Sequence, residues 1–222
     1  MATARVFSIN EALRWGWEAM RRYLPVTLGL AAVWMLIGFI GDLIGGPTAE
    51  RVTFVRSLLY TALQLAGLFF GLVWIHVALR IADGEPRPLE GLPVTLWQFF
   101  SYLLASVLYG LIVAGGMILF IVPGVLWAIK FGFFGFALVE RGLDPIAALR
   151  ASSQMTRGVK GQLFWFGLAL IGINIVGALA FVVGLLATVP VSALAVTYVY
   201  RRLAARPVPV EPVLPHLQPS GV

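Results

Sequence analysis

Between Leu96 and Val139 the chain carries a single formally charged side chain, Lys130. Crossing ~30 Å of hydrocarbon takes roughly 20 apolar residues, so this stretch is long enough for two crossings and must turn back on itself. Pro123-Gly124 is its strongest breaker pair. Apolar runs of similar character cover 24–44, 55–79, 96–118, 122–139, 163–182 and 184–200, and they predict six transmembrane helices. The segment from Phe181 to Gly184 leaves almost no connection between the last two, which predicts a tight hairpin. The pattern predicts an all-α membrane protein, a six-transmembrane-helix bundle over 24–203.

Two shorter stretches are periodic instead of uniformly apolar. Within 1–23, Ile9, Leu13, Trp17, Met20 and Leu24 share one helical face, and Glu11, Arg14, Glu18, Arg21 and Arg22 recur on the other. Ser8 and Glu11 have the spacing of a capping box, in which hydroxyl and carboxylate satisfy the orphan N–H groups of a helix start. This amphipathic helix is expected to lie in the cytoplasmic interface. The first span is longer than a signal-peptide core and is expected to stay as an uncleaved anchor. A second such helix is predicted at 145–157: Asp144-Pro145 supplies a cap and a first-turn proline, Gly158 a terminator, and Arg150, Gln154 and Arg157 a narrow polar face. Aligning Ala12-Leu13-Arg14 with Ala148-Leu149-Arg150 also places Arg21 on Arg157, which suggests a parallel internal repeat of helix plus hairpin. The alternative is that any two juxtamembrane helices look alike. Residues 204–222 are Pro-rich and read as an extended, disordered tail in which His216 is solvated.

Charge then orients the spans. Arg5, Arg14, Arg21, Arg22, Arg80, Arg87, Arg141, Arg150, Arg157, Lys160, Arg201, Arg202 and Arg206 fall on the side of the termini, and only Arg51 and Arg56 fall opposite. The positive-inside rule therefore predicts cytoplasmic termini. The net charge of +6, which in a soluble chain would suggest nucleic acid, is accounted for by this asymmetry, and no nucleic-acid partner is expected. With 60% hydrophobic and 12% charged residues, too few ionisable side chains exist to coat a water-facing surface.

Candidate chemistry is sparse. The chain has no cysteine and two histidines, His76 and His216, so thiol catalysis and Cys- or His-based metal sites are not expected, nor is a cofactor. No paired carboxylates, activated nucleophile or phosphate-binding loop appears, so an enzyme is not expected. Lys130 lies about a third of the way into a span, where a cation is costly unless it snorkels, pairs or faces water. Gln64 and Asn174 fall at similar estimated depth, and the three form a candidate intramembrane polar site. The plainer reading is that Lys130 reaches lipid phosphates while the amides join helices. His76, one turn before Arg80, reads as a hydrogen-bonded interfacial residue. Gly67 and Gly71 permit close helix approach, Pro190 predicts a kink in the sixth span, and Trp15, Trp17, Trp97 and Trp165 predict an aromatic belt.

Three segments carry a resemblance. They are Ile121-Val-Pro-Gly124 followed by Lys130; Glu140-Arg-Gly-Leu-Asp-Pro145 with Ala148-Leu-Arg-Ala-Ser-Ser153 and Thr156-Arg-Gly158; and Gly184-Leu-Leu-Ala-Thr-Val-Pro190 with Tyr198-Val-Tyr-Arg201. With Trp15-Gly-Trp17, the chain resembles a group of uncharacterised bacterial inner-membrane proteins near the membrane domain of some glycerophosphodiester phosphodiesterases. The resemblance implies a six-span bundle and no established activity. The carboxylate and histidine cluster of the soluble phosphodiesterase domain has no counterpart here.

The expected function is a non-enzymatic integral membrane protein that organises lipids or a membrane protein partner. Arg14, Arg21, Arg22, Arg150, Arg157 and Lys160 are the expected contacts to anionic headgroups. The alternative is a small transporter or permease-like protein with a site near Lys130.

Overall fold

The computed structural model describes residues 6–45 and 54–206. Residues 207–222 of the predicted Pro-rich tail, with His216, and the basic residues Arg5 and Arg51 lie outside the described residues. Among the described residues the fold is all-α, with nine helices: α1 (Ile9–Arg22), α2 (Leu24–Gly45), α3 (Phe54–Ala82), α4 (Leu96–Leu119), α5 (Ile121–Phe131), α6 (Phe134–Arg141), α7 (Pro145–Met155), α8 (Lys160–Leu179) and α9 (Phe181–Ala204). Six units are long and apolar enough to cross a membrane: α2, α3, α4, α5 with α6 taken together (Ile121–Arg141), α8, and Gly184–Ala204 of α9. Helices α1 and α7 are the two that do not span.

Both predicted turns lie a few residues from their expected places. The chain turns at Phe120, whose backbone is extended (φ −164°, ψ 151°), and not at Pro123-Gly124. Pro123 instead occupies the first turn of α5, where its missing N–H deprives no carbonyl of a partner. Gly124 serves close approach: a Cβ there would stand 2.8 Å from the backbone nitrogen of Met117. Likewise α8 ends at Leu179 and α9 starts at Phe181, so the last hairpin closes on Ala180. Just past it the backbones of Gly177 and Gly184 touch with no room for a side chain. The predicted Gly67 and Gly71 pair makes only ordinary contacts, at 3.6 Å to Ile37 and 3.7 Å to Tyr102.

The face that α1 buries differs from the predicted one. Ala12, Gly16, Ala19 and Met20 are buried, whereas Trp17 and Leu24 are 46% and 41% exposed. A Cβ on Gly16 would lie 2.7 Å from the carbonyl oxygen of Val191 and 3.3 Å from Cβ of Ala195, so α1 lies tightly along α9. Lipid tails are as apolar as leucine, so helices in a bilayer gain by close van der Waals approach of small residues, with bulky ones left to the lipid. The capping box is also absent: Ser8 makes no side-chain cap bond, and Glu11 accepts from the Tyr198 hydroxyl at 2.5 Å and Arg202 Nη2 at 3.0 Å. A charged partner outcompetes a lone backbone N–H. The Tyr198 hydroxyl most of all, helped by Arg202, holds the Glu11 carboxyl below the usual carboxylate range and outweighs the opposing effect of burial. This tie therefore persists at neutral pH and is lost as pH falls through that lowered value.

Helix α7 starts as predicted. Asp144 Oδ1 accepts from the backbone nitrogens of Ile146 (3.0 Å) and Ala147 (2.9 Å), Pro145 follows, and Gly158 lies beyond the end at φ +78°. Its burial follows that of α1 at the most buried positions: the alignment pairs buried Ala12, Gly16, Ala19 and Met20 with buried Ala148, Ser152, Met155 and Thr156. It also pairs exposed Arg14, Glu18 and Arg21 with exposed Arg150, Gln154 and Arg157. The packing is parallel too, since α1 docks on α9 and α2 meets α9, while α7 docks on α6 and α8 meets α5.

Candidate functional site

The second spans of the three hairpins, α3, α6 and α9, converge at one end, and each brings a charge. Arg201 of α9 donates from Nη2 to Asp83 Oδ2, just past α3, at 2.6 Å and from Nη1 to Glu140 Oε1 of α6. The Tyr200 hydroxyl donates to the other oxygen of Glu140, and its ring stacks on Phe136 at 5.0 Å. Arg80 of α3 reaches the connection to α4, pairing with Glu85 at 3.5 Å and donating to the carbonyls of Glu90 and Gly91. Glu11 with Arg202, and Gln162 with the backbone of Val6 and Phe7, tie the N-terminal segment and the start of α8 to this same end. It is the basic end that the charge pattern defines. Arg56, at the opposite end, donates to the carbonyl of Ile44.

Beside this charged clasp lies a cavity of about 420 Å³, walled by His76, Arg80, Asp83, Gln98, Ser101, Glu140 and Arg201, with apolar Leu79 and Leu138. His76 is buried, and its Nδ1 lies 3.1 Å from the carbonyl oxygen of Leu72, the hydrogen-bonded role the sequence predicts. Thr95 caps α4 by accepting from the backbone nitrogen of Gln98 at 3.2 Å, which sets Gln98 and Ser101 on the inward side of the first turns. The Gln98 Oε1 and Arg201 Nε atoms are buried without a hydrogen-bond partner.

The predicted intramembrane site is dispersed over α3, α5 and α8. Gln64 is exposed on the surface of α3. Asn174 joins α8 to α9, donating to Ser192 Oγ at 2.8 Å and to the Leu170 carbonyl at 2.8 Å. Lys130 is half-buried with Nζ 4.8 Å from the Phe131 ring centre. It is the Lys130 carbonyl that engages α7, accepting from Ser152 Oγ at 3.0 Å and Thr156 Oγ1 at 3.2 Å. Ser152 Oγ also accepts from the Phe133 backbone nitrogen at 3.1 Å, so it replaces helix bonds lost where the fourth span breaks between α5 and α6. A bilayer offers no water to such freed groups, which makes this pairing a requirement of the break. None of the three predicted residues lines the basic-end cavity. Of the predicted lipid contacts, Arg14, Arg21, Arg22, Arg150 and Arg157 are exposed, and Lys160 is half-buried.

No sequence pattern marks the residues of the clasp as a site, although Glu140 and Arg201 both sit in the segments that carry the resemblance. Each lies at a span end, where a charge is ordinarily assigned to water. Among the described residues no group of three His, Asp or Glu is placed to hold a metal ion.

The chain aligns with the uncharacterised protein Rv2560 of Mycobacterium tuberculosis (strain H37Rv) at 26% identity, covering 94% of this chain and 72% of that protein. Uncharacterised protein Mb2590 of Mycobacterium bovis shows the same identity and coverage. No protein-family profile and no solved structure matches the chain. The similarity thus covers nearly all of this chain, to proteins whose names state no activity.

Proposed function

We propose that this is a non-enzymatic multi-pass protein of the bacterial cytoplasmic membrane, with its basic end inside, that organises anionic lipid or a membrane protein partner at that surface. The carrying observation is that α1 and α7 are each docked on the bundle by a buried small-residue face, while Arg14, Arg21, Arg22, Arg150 and Arg157 stay exposed. Docking fixes the backbone that presents these guanidinium groups, so anionic headgroups meet a preorganised row of cations. Each cation near an anionic surface contributes about 1 kcal/mol, an effect that salt screens. The mycobacterial relatives support a bacterial membrane. A kinship with the membrane domain of glycerophosphodiester phosphodiesterases, suggested by the three motif segments, would suit a lipid-facing role.

The orientation predicts a labelling pattern. The natural chain has no cysteine, so single cysteines report sidedness without background. A cysteine at Gln154, exposed on α7, should resist an impermeant thiol reagent in intact cells and react once the membrane is opened. One at Thr48, outside the described residues, should react from outside. External labelling at 154 would invert the topology.

Lys130 separates this role from a permease. Its ammonium meets an aromatic ring, and the basic-end cavity does not reach it. Lys130→Met is therefore expected to leave lipid retention unchanged and to hold or raise thermal stability in detergent, because it removes a charge costing ~2.5 kcal/mol or more in hydrocarbon. Loss of bound lipid or of a growth phenotype, with stability intact, would favour a ligand site at Lys130.

A further inference from the structure

The cavity at the basic end has hydrogen-bonding capacity that the fold leaves unused, and we propose that it binds a primary ammonium group, carried on an ethanolamine-type lipid headgroup or on a small free amine. This site is separate from the arginine faces of α1 and α7. An anion is the weaker fit for it, because carboxylates already neutralise both guanidinium groups and Arg201 keeps one unpaired donor, its buried Nε. Arg201 grips Asp83 and Glu140, and Arg80 is held by Glu85 and two backbone carbonyls.

What remains is rich in acceptors. Asp83 uses Oδ2 on Arg201, leaving Oδ1. Gln98 Oε1 has no donor. His76 turns Nδ1 to the Leu72 carbonyl, which assigns the ring proton there and leaves Nε2 as an acceptor. An ammonium offers three N–H donors and a positive charge to this carboxylate, amide and imidazole set. Trp97, also on the cavity wall, is 78% exposed, and its ring face favours a cation. The volume of about 420 Å³ exceeds an amine alone and matches a small-molecule pocket, with Leu79 and Leu138 available to the ligand's apolar stem.

The discriminating probe is phosphatidylcholine, whose quaternary ammonium keeps the charge but has no N–H to donate. In native mass spectrometry of the full chain with equimolar phosphatidylethanolamine and phosphatidylcholine, retention of the former should be favoured by ~10-fold or more, as expected of a site built to hydrogen-bond its ligand. Gln98→Met, which keeps volume and removes an acceptor, should bring the ratio close to one. Ser101→Leu, which fills the cavity, should do the same and serves if the first variant is poorly folded. Millimolar ethanolamine that displaces the lipid would identify the ammonium as sufficient; displacement only by phosphatidylethanolamine would identify the bilayer as the source. Equal retention of the two lipids, or a preference that survives both substitutions, would overturn the proposal. So would a preference for phosphatidylglycerol that Gln98→Met abolishes. Failure here leaves the arginine-face reading intact, since that reading is measured with phosphatidylglycerol on variants outside the cavity.

Discussion

Replacing Gly184 with leucine should force α9 away from α8 and strongly destabilise the protein. The obstruction is backbone on backbone: a Cβ at 184 would collide with the carbonyl group of Gly177 and stand 2.9 Å from its Cα. A flexible side chain could rotate aside, but two helix backbones can only separate. Separation would also break the Asn174 to Ser192 bond farther along the same pair. Overpacking costs about 1–3 kcal/mol where side chains can adjust, so ~3 kcal/mol is a lower figure here. In a chain of this size that is a drop of roughly 10 °C in melting temperature, with aggregation on size-exclusion chromatography. Gly167→Leu and Gly172→Leu are the matched controls on α8, where a Cβ meets nothing within 4 Å. Equal behaviour of all three variants would mean that the α8 and α9 packing is wrong.

Arg201→Met should be the most damaging charge removal in the protein. It leaves Asp83 and Glu140, from two different hairpins, without the cation that joins them. Breaking a buried pair costs about 3–5 kcal/mol, but Arg201 is 30% exposed, so solvent screening lowers the expectation to ~2 kcal/mol. Arg201→Lys should recover only part of the loss, because a compact ammonium cannot fork between two carboxylates. Adding Asp83→Asn and Glu140→Gln to Arg201→Met should restore stability. Additive losses in that combination, measured by thermal unfolding in detergent, would show that the three side chains are not coupled.

The extent to which this molecule can be read from its sequence follows from what each signal averages over. Hydropathy sums over about 20 residues, so all six spans were recovered to within a few positions, and Asp144-Pro145 marked α7 because capping is local. The buried face of α1 departs from the hydropathy pattern because Trp17 and Leu24 outweigh Ala12, Gly16 and Ala19 on any transfer scale. Close packing in lipid favours the reverse order. The capping role assigned to Glu11 failed for a non-local reason, since Tyr198 and Arg202 lie at the far end of the chain. Gln64, Lys130 and Asn174 were grouped by depth, which hydropathy supplies. Rotation about each helix axis, which hydropathy does not supply, sends them to different surroundings. Asp83, Glu140 and Arg201 form a site only because three span ends meet, a fact of tertiary packing. Of the tryptophans expected in an aromatic belt, Trp17, Trp97 and Trp165 are exposed, while Trp15 packs on Tyr198 at 5.5 Å.

In the proposed role α1 and α7 hold anionic lipid through exposed cations, and the amount of phosphatidylglycerol carried through purification reports on that contact. The full chain should retain this lipid in native mass spectra, and retention should fall as salt is raised. A variant with Arg14, Arg21, Arg22, Arg150, Arg157 and Lys160 all changed to Gln should lose it by ~10-fold or more at low salt, with its melting temperature preserved because the buried faces are untouched. Undiminished, salt-independent retention by that variant would show that these cations do not hold the lipid.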